Sequence, residues 1–171
     1  WSAGQYIPSF YGYQGAKPAA TMDESFPDVM NYVENHYKVA KDKAHRAICG
    51  LSMGGGHSFD ISRRFPTKFD YIGLFSAGLH VSTTGDFRND FYKQLQGNEE
   101  AKTQLATLFK NKPKLYWIGM GKTDFLYKSS ADLRRYFDEK GYKYTYLETE
   151  GGHIWRNWRV YLTEFAQKIF K

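Results

Sequence analysis

A strand–turn–helix pattern around the run Gly-Leu-Ser-Met-Gly-Gly at 50–55 constrains the fold of this chain more than any other stretch. The apolar residues 44–49 before it predict a strand, and residues 54–65 after it predict a helix. In that context a Gly-x-Ser-x-Gly run is typical of a nucleophile elbow, a sharp turn that presents its serine above a sheet. The glycines two residues before and after the serine are expected to leave room for the turn and for helix packing. We therefore expect Ser52 to be a nucleophile and the backbone N–H of Met53 to face an anion.

The rest of the chain alternates between predicted strands and predicted helices. Further strands are expected at 71–76, 114–119 and 143–147, and helices at 25–37, 86–112 (in two pieces), 129–140 and 155–170. Such alternation predicts an α/β fold, a mostly parallel sheet with helices on both faces. No repeat, linker or change in charge divides the chain, so residues 1–171 are expected to form one domain.

Several cap residues suggest where these helices begin and end. Ser25 is the predicted N-cap of the first helix, Asn98 of the second piece of 86–112, and Ser129 or Ser130 of the next helix. Gly141 stands where a glycine that ends a helix belongs.

Three residues with complementary chemistry each follow a predicted strand. They are Ser52, Asp124 and His153. In a parallel sheet the carboxyl ends of the strands share one edge, where reactive groups collect, so we expect the three side chains to meet there. Their order along the chain, Ser then Asp then His, is the order of the α/β-hydrolase triad. His153 would take the proton of Ser52, and Asp124 would orient the imidazole.

Other acids and histidines compete for these roles. Asp124 could be a turn residue, and the rival carboxylates are Asp86, Asp90, Glu148 and Glu150. His57 is expected to be a packing or surface group, and no partner pattern surrounds the remaining histidines, His36, His45 and His80. Because none of these histidines has metal-ligand spacing with carboxylates, we predict no metal and no cofactor.

Composition argues against two classes of partner and suggests a binding surface. The net charge is +6, but the basic residues are scattered, Lys110 and Lys112 among them, which indicates solvated faces and no nucleic-acid partner. The sequence contains no stretch of 18 apolar residues, so no membrane span is predicted. The only cysteine, Cys49, is expected to be buried in the first strand. Aromatic residues make up 18% of the chain, and Tyr6, Phe10, Tyr11, Tyr13 and Trp155 are candidates to line a substrate pocket or simply to pack on the core.

Three motifs together carry a family resemblance. They are Gly-Leu-Ser-Met-Gly-Gly at 50–55, Gly-Lys-Thr-Asp-Phe-Leu-Tyr at 121–127, and Gly-Gly-His-Ile-Trp-Arg-Asn-Trp-Arg at 151–159. The chain resembles the esterase D-like branch of the α/β-hydrolases, and within it the feruloyl and acetyl-xylan esterases. The resemblance implies a serine carboxylesterase that removes ferulate or acetate from plant cell-wall polysaccharide. Siderophore and other small-ester hydrolases, and acyltransferases, share the fold and the triad, so they stay open as alternatives.

The chain departs from this family before the elbow. Only 43 residues precede Ala44, and they hold one predicted helix and a loop, where the family has several strands. We therefore expect the C-terminal portion of a larger domain, with the other strands supplied by a separate fragment or replaced by a homodimer contact. Without them Met53 is the one oxyanion donor that can be named. The alternative from another functional class is a catalytically impaired C-terminal fragment that serves as a binding or assembly module.

Overall fold

The sheet consists of four parallel strands whose order in space follows their order in the chain. The computed structural model describes residues 22–81 and 90–171. The strands are β1 (Ala47–Leu51), β2 (Tyr71–Phe75), β3 (Leu115–Gly121) and β4 (Thr145–Thr149). Each neighbouring pair is parallel. The predicted α/β architecture with a parallel sheet is therefore confirmed.

Helices connect these strands and cover the sheet. In the described ranges they are α1 (Met22–His36), α2 (Met53–Arg64), α3 (Phe91–Gln96), α4 (Glu99–Lys110), α5 (Tyr127–Lys140) and α6 (Trp155–Ala166). A 3₁₀ turn at Lys43–His45 leads into β1. None of these helices combines the length and the apolar character needed to cross a bilayer.

The two faces of the sheet pack against different helices. Along β2, Ile72 and Leu74 belong to a core that includes side chains of α2, α4 and α5. Tyr71 and Phe75 point to the other face, where they pack with Trp117 beneath α6. Successive side chains of a strand alternate between faces, so β2 contributes side chains to both cores. Helices therefore lie on both faces, as predicted.

Three of the four strands begin and end later than the sequence pattern suggested, β2 matches the prediction of 71–76 to within one residue, and α6 ends earlier. The expected ranges were 44–49, 114–119 and 143–147, whereas the structure has 47–51, 115–121 and 145–149. The last helix ends at Ala166 and does not extend to 170. Pairing with neighbouring strands extends the ladders toward their carboxyl ends, which single-sequence patterns do not show.

Half of the predicted helix caps are wrong. Ser25 lies inside α1, where its hydroxyl donates to the carbonyl of Met22, because the acidic first turn lets the helix begin earlier. Ser129 and Ser130 are buried within α5. Asn98 does cap α4 by accepting from the Ala101 N–H at 2.9 Å, and Gly141 ends α5 with φ 68°.

β1 lies at one edge of the sheet, and among the described residues only β2 pairs with it. Its side chains are correspondingly less covered than those of β2. Cys49 is exposed, so the prediction of a buried thiol is wrong. Ala47 and Leu51 on the same face of β1 are partly buried against the core beneath α6, but α6 packs mainly over β2 and β3, so Cys49 at the edge of the sheet stays exposed. An edge strand of this kind presents unpaired backbone groups.

Candidate active site

Ser52 occupies the sharp turn between β1 and α2. Its φ of 53° and ψ of −117° lie where non-glycine residues are rarely found, a conformation that costs about 1–3 kcal/mol and persists only when its surroundings enforce it. The Ser52 N–H donates to the Phe75 carbonyl at 2.9 Å, and the Ser52 carbonyl accepts from the N–H groups of Gly55 and Gly78. The predicted strand–turn–helix geometry is present, and β2 and its loop hold it in place.

The glycines around this turn have unequal roles. A methyl group added at Gly50 would overlap the carbonyl of Gly54, and one added at Gly55 would come within 2.7 Å of the Ala77 side chain. At Gly54 the same methyl group would meet no described atom within 4 Å. The expectation that the glycines two before and two after the serine both provide space is therefore wrong for Gly54. The close contacts belong to Gly50 and Gly55.

His153 connects Ser52 to Asp124. Its Nε2 lies 2.9 Å from Ser52 Oγ, and its Nδ1 lies 2.9 Å and 3.1 Å from the two carboxylate oxygens of Asp124. An ionised carboxylate can only accept, so the hydrogen belongs on Nδ1 and the lone pair of Nε2 faces the serine hydroxyl. The structure brings the three predicted residues into contact in the arrangement that proton transfer from a serine requires.

Asp124 is buried at the carboxyl end of β3. Its side chain is 0% exposed, and it also accepts a hydrogen bond from the Leu126 N–H at 2.9 Å. The carboxylate is therefore held by the Leu126 N–H as well as by His153. Asp124 is thus both a turn residue, as the alternative held, and the partner of the histidine.

The rival acids that the structure describes have other partners. Glu148 accepts from the hydroxyls of Tyr127 and Tyr146, and these bonds lower the pKa of its carboxyl group. Glu150 pairs with Lys122, and Asp90 caps α3. Asp86 lies outside the described residues.

The loop that carries His153 packs tightly against the end of β3. The side chain of Asn157, only 3% exposed, donates from Nδ2 to the Gly152 carbonyl at 3.0 Å. The Thr123 N–H donates to the Gly151 carbonyl at 3.0 Å. A methyl group at Gly121 would overlap that same carbonyl oxygen. Asn157 was missed by the sequence analysis, because an asparagine in a helix-compatible stretch gives no signal of this contact.

Met53 is the first residue of α2. The first N–H groups of a helix have no partner within the helix, and here those of Gly55 and Gly56 bond to the Ser52 carbonyl. The N–H of Met53 therefore stays a candidate oxyanion donor.

Aromatic side chains surround His153. Phe125 is 67% exposed, with its ring centroid 4.7 Å from that of His153, and Trp158 lies at 4.9 Å. Trp155, the predicted pocket residue, is 65% exposed and packs edge-on against Trp158. Phe125 was missed, although its position directly after Asp124 could have indicated it. The other predicted pocket residues, Tyr6, Phe10, Tyr11 and Tyr13, lie outside the described residues.

His57 belongs to a separate buried cluster on α2. Its Nδ1 lies 2.8 Å from Asp23 Oδ1 of α1, and both side chains are less than a tenth exposed. Asp60 and Arg63 form an ion pair next to it. Burial lowers the pKa of His57, but the hydrogen bond and charge of Asp23, with the charge of Asp60, outweigh burial and raise it. Within 22–81 and 90–171, no group of histidine, cysteine and acidic side chains could hold a metal ion.

The fold described above is that of the α/β-hydrolases. The chain belongs to the Esterase family ("Putative esterase"), whose model matches residues 27–169. The resemblance to the esterase branch of the α/β-hydrolases, which the three sequence motifs indicated, is therefore confirmed.

Individual relatives agree with this assignment. An acetyl esterase from Caldicellulosiruptor saccharolyticus is 25% identical over 164 residues, which cover 84% of this chain and 61% of the relative. An endo-1,4-beta-xylanase/feruloyl esterase from Xylanibacter ruminicola is 29% identical over 154 residues, which cover 88% of this chain and 17% of that protein. A solved ferulic acid esterase superposes with a TM-score of 0.67 at 25% identity, covering 86% of this chain and 59% of that one. The chain thus spans about three fifths of the acetyl esterase and of the solved ferulic acid esterase.

Proposed function

We propose that this chain carries the catalytic residues of a serine carboxylic ester hydrolase. The observation that supports it most is His153, which lies within 2.9 Å of both Ser52 Oγ and an oxygen of the buried Asp124 carboxylate. A serine hydroxyl is a weak nucleophile alone, and an adjacent imidazole held by a carboxylate is the usual way to activate it.

The reaction proceeds in two halves. Ser52 Oγ attacks the ester carbonyl carbon while His153 Nε2 takes the hydroxyl proton, and the N–H of Met53 stabilises the oxyanion. His153 then gives the proton to the leaving alcohol, so the acyl group stays on Ser52. Water repeats the sequence: His153 removes its proton, the hydroxide attacks the acyl carbon, and the acid leaves as Ser52 regains its proton.

Ferulate or acetate on plant cell-wall xylan is the proposed ester. The names of the relatives support both acyl groups. The exposed rings of Phe125 and Trp155 near His153 support an aromatic acyl group in particular, because aromatic rings pack favourably edge to face or offset. Turnover of methyl ferulate is compared with that of acetylated xylo-oligosaccharides. No turnover of either would reject the substrate, and transfer of the acyl group to an added sugar would identify an acyltransferase instead.

We further propose that another strand pairs with β1, from elsewhere in the whole protein or from a second copy. The exposed Cys49 and the edge of β1, which no other described strand pairs with, support this. Labelling by a fluorophosphonate, together with light scattering of the same sample, tests both proposals. Labelling at Ser52 supports the hydrolase. A folded sample without labelling supports a binding or assembly module, and a labelled monomer of this chain alone would reject the need for a partner strand.

A further inference from the structure

A cleft of about 770 Å³ opens at the end of the sheet opposite Ser52. It lies between the turn that follows α4 and the turn that joins α5 to β4. Both turns precede strands, whereas Asp124 and His153 follow the carboxyl ends of those strands. The seven residues of β3, at roughly 3.3 Å each, place this cleft about 20 Å from the candidate active site.

The floor of the cleft is apolar and aromatic. Phe109 and Tyr142 stack with their ring centroids 4.2 Å apart and their planes 8° from parallel. Ala106 and Pro113 complete the apolar lining. The volume and the aromatic floor lie within the range of known ligand sites.

Four exposed lysines surround this floor. Lys110 and Lys112 stand on the wall formed by the end of α4, and Lys140 and Lys143 stand on the opposite wall. No aspartate or glutamate is among the lining residues. Within the described part of the chain none of the four forms an ion pair, whereas lysines elsewhere, such as Lys43 and Lys102, do. Lys110 and Lys112 were predicted to lie on scattered solvated faces, but the fold places them with two lysines about 30 residues further along the chain in one positive rim.

One of these lysines sits in a strained backbone conformation. Lys112 has φ 51°, a left-handed value that favours glycine. The matching turn after α5 uses Gly141 at φ 68°. A glycine at 112 would relieve the strain, so the lysine stands at a position that its backbone conformation does not favour.

We propose that this lysine cleft binds an acidic segment of a carbohydrate polymer. Carboxylates of uronate sugars pair with the lysines, and the apolar faces of the sugar rings lie on Phe109 and Tyr142. Lysines on two facing walls suit a chain that runs between them better than a single anion. The identity of the polymer rests on the proposed function, since the anchored chain is the one that carries the ester.

Calorimetry of the Ser52→Ala variant at low salt tests the proposal, with xylo-oligosaccharides that carry glucuronate and neutral ones of equal length. We expect the acidic ligand to bind more tightly, and salt to weaken it. The double variant Lys112→Gln/Lys143→Gln should weaken binding about tenfold, as loss of two exposed charge contacts predicts. The matched control Lys38→Gln/Lys41→Gln removes the same charge from another surface and should leave binding unchanged. Ala106→Glu, an exposed helix position, should also weaken binding without disturbing the fold.

Three results would overturn the proposal. They are equal affinity for acidic and neutral oligosaccharides, unchanged binding in the lysine variant, and equally tight binding of polyglutamate, which has carboxylates but no sugar rings. Turnover of methyl ferulate by the same lysine variant in a Ser52 background should be unchanged. Binding without any ester turnover would reject the proposed hydrolase and keep the cleft, whereas turnover without binding would do the reverse.

Discussion

His153 Nε2 lies 2.9 Å from Ser52 Oγ although 101 residues separate the two in the chain. They follow β4 and β1, the outer strands of the four, which at roughly 4.8 Å per neighbour are about 14 Å apart. The loop after β4 must therefore reach back over the ends of β3 and β2. The close approach of Gly121 to Gly151 and the Asn157 hydrogen bond hold the loop in that position.

Substitution of the three central residues should abolish turnover without unfolding the protein. We expect Ser52→Ala and His153→Ala to lower kcat by about 10⁴-fold or more, and Asp124→Asn by about 10⁴-fold, because the amide favours the wrong histidine tautomer. Hydrolysis of methyl ferulate measures this. Glu150→Gln, an exposed rival acid, is the control and should keep full activity. Activity retained in Asp124→Asn but lost in Glu150→Gln would contradict the assignment.

The two outer glycines of the elbow should respond in opposite ways to alanine. Gly50→Ala places a methyl group on the Gly54 carbonyl and should lower both the melting temperature and turnover. Gly54→Ala adds a methyl group in open space on α2 and should raise the free energy of unfolding by about 0.5–1 kcal/mol. Urea denaturation compares the two. Equal destabilisation by both substitutions would show that the contacts around Gly54 differ from those described.

Asn157→Ala should slow catalysis through His153. The buried amide holds the Gly152 carbonyl, so its loss lets the histidine loop shift, and a misplacement of about 1 Å can cost about 10²-fold in kcat. Steady-state kinetics should show a lower kcat with KM little changed. Asn111→Ala, whose side chain caps the end of α4 at an exposed site, is the matched asparagine control. Unchanged kcat in Asn157→Ala would mean that the packing at Gly121 holds the histidine loop in position without the Asn157 hydrogen bond.

Phe125→Ala should affect aromatic esters more than acetyl esters. Loss of one exposed ring beside His153 is expected to raise KM for methyl ferulate by about threefold to tenfold and leave that for an acetylated sugar unchanged. Tyr37→Ala removes a comparably exposed ring just after the end of α1 and should change neither KM. An equal effect on both substrates would argue that Phe125 only supports His153.

The buried His57–Asp23 pair should make stability depend on pH. The pKa of His57 is raised in the folded state, so its contribution is fully present below the unfolded value of about 6.5 and is lost as pH rises through the folded pKa. His57→Gln should therefore reduce the free energy of unfolding more at pH 5.5 than at pH 9, as urea denaturation can show. His45→Gln breaks an exposed histidine–aspartate pair and should have little effect at either pH. A larger loss at pH 9 would reverse the sign and reject the argument.

The parts of the fold that sequence predicted depend on local signals. The elbow around Ser52, the cap at Asn98 and the end of α5 at Gly141 each involve residues within a few positions of one another. The Ser–Asp–His order was also accessible, because parallel strands place their following loops at one edge.

The parts that sequence missed depend on partners distant in the chain. Cys49 is exposed because it lies on the edge strand, away from the strands that α6 mainly covers. His57 finds its partner 34 residues away in α1. Lys112 and Lys143 face each other only once α4 and α5 are packed. Phe125 and Asn157 sit in ordinary turn and helix contexts, so their contacts with the histidine and its loop appear only in three dimensions.

The separation of Ser52 and His153 along the chain determines when the two can first meet during synthesis. Ser52 is made 101 residues before His153. At roughly 5–20 residues per second, Ser52 exists for about 5–20 s before His153 is made. Under the proposed function, a nascent chain is chemically inert toward esters throughout that interval.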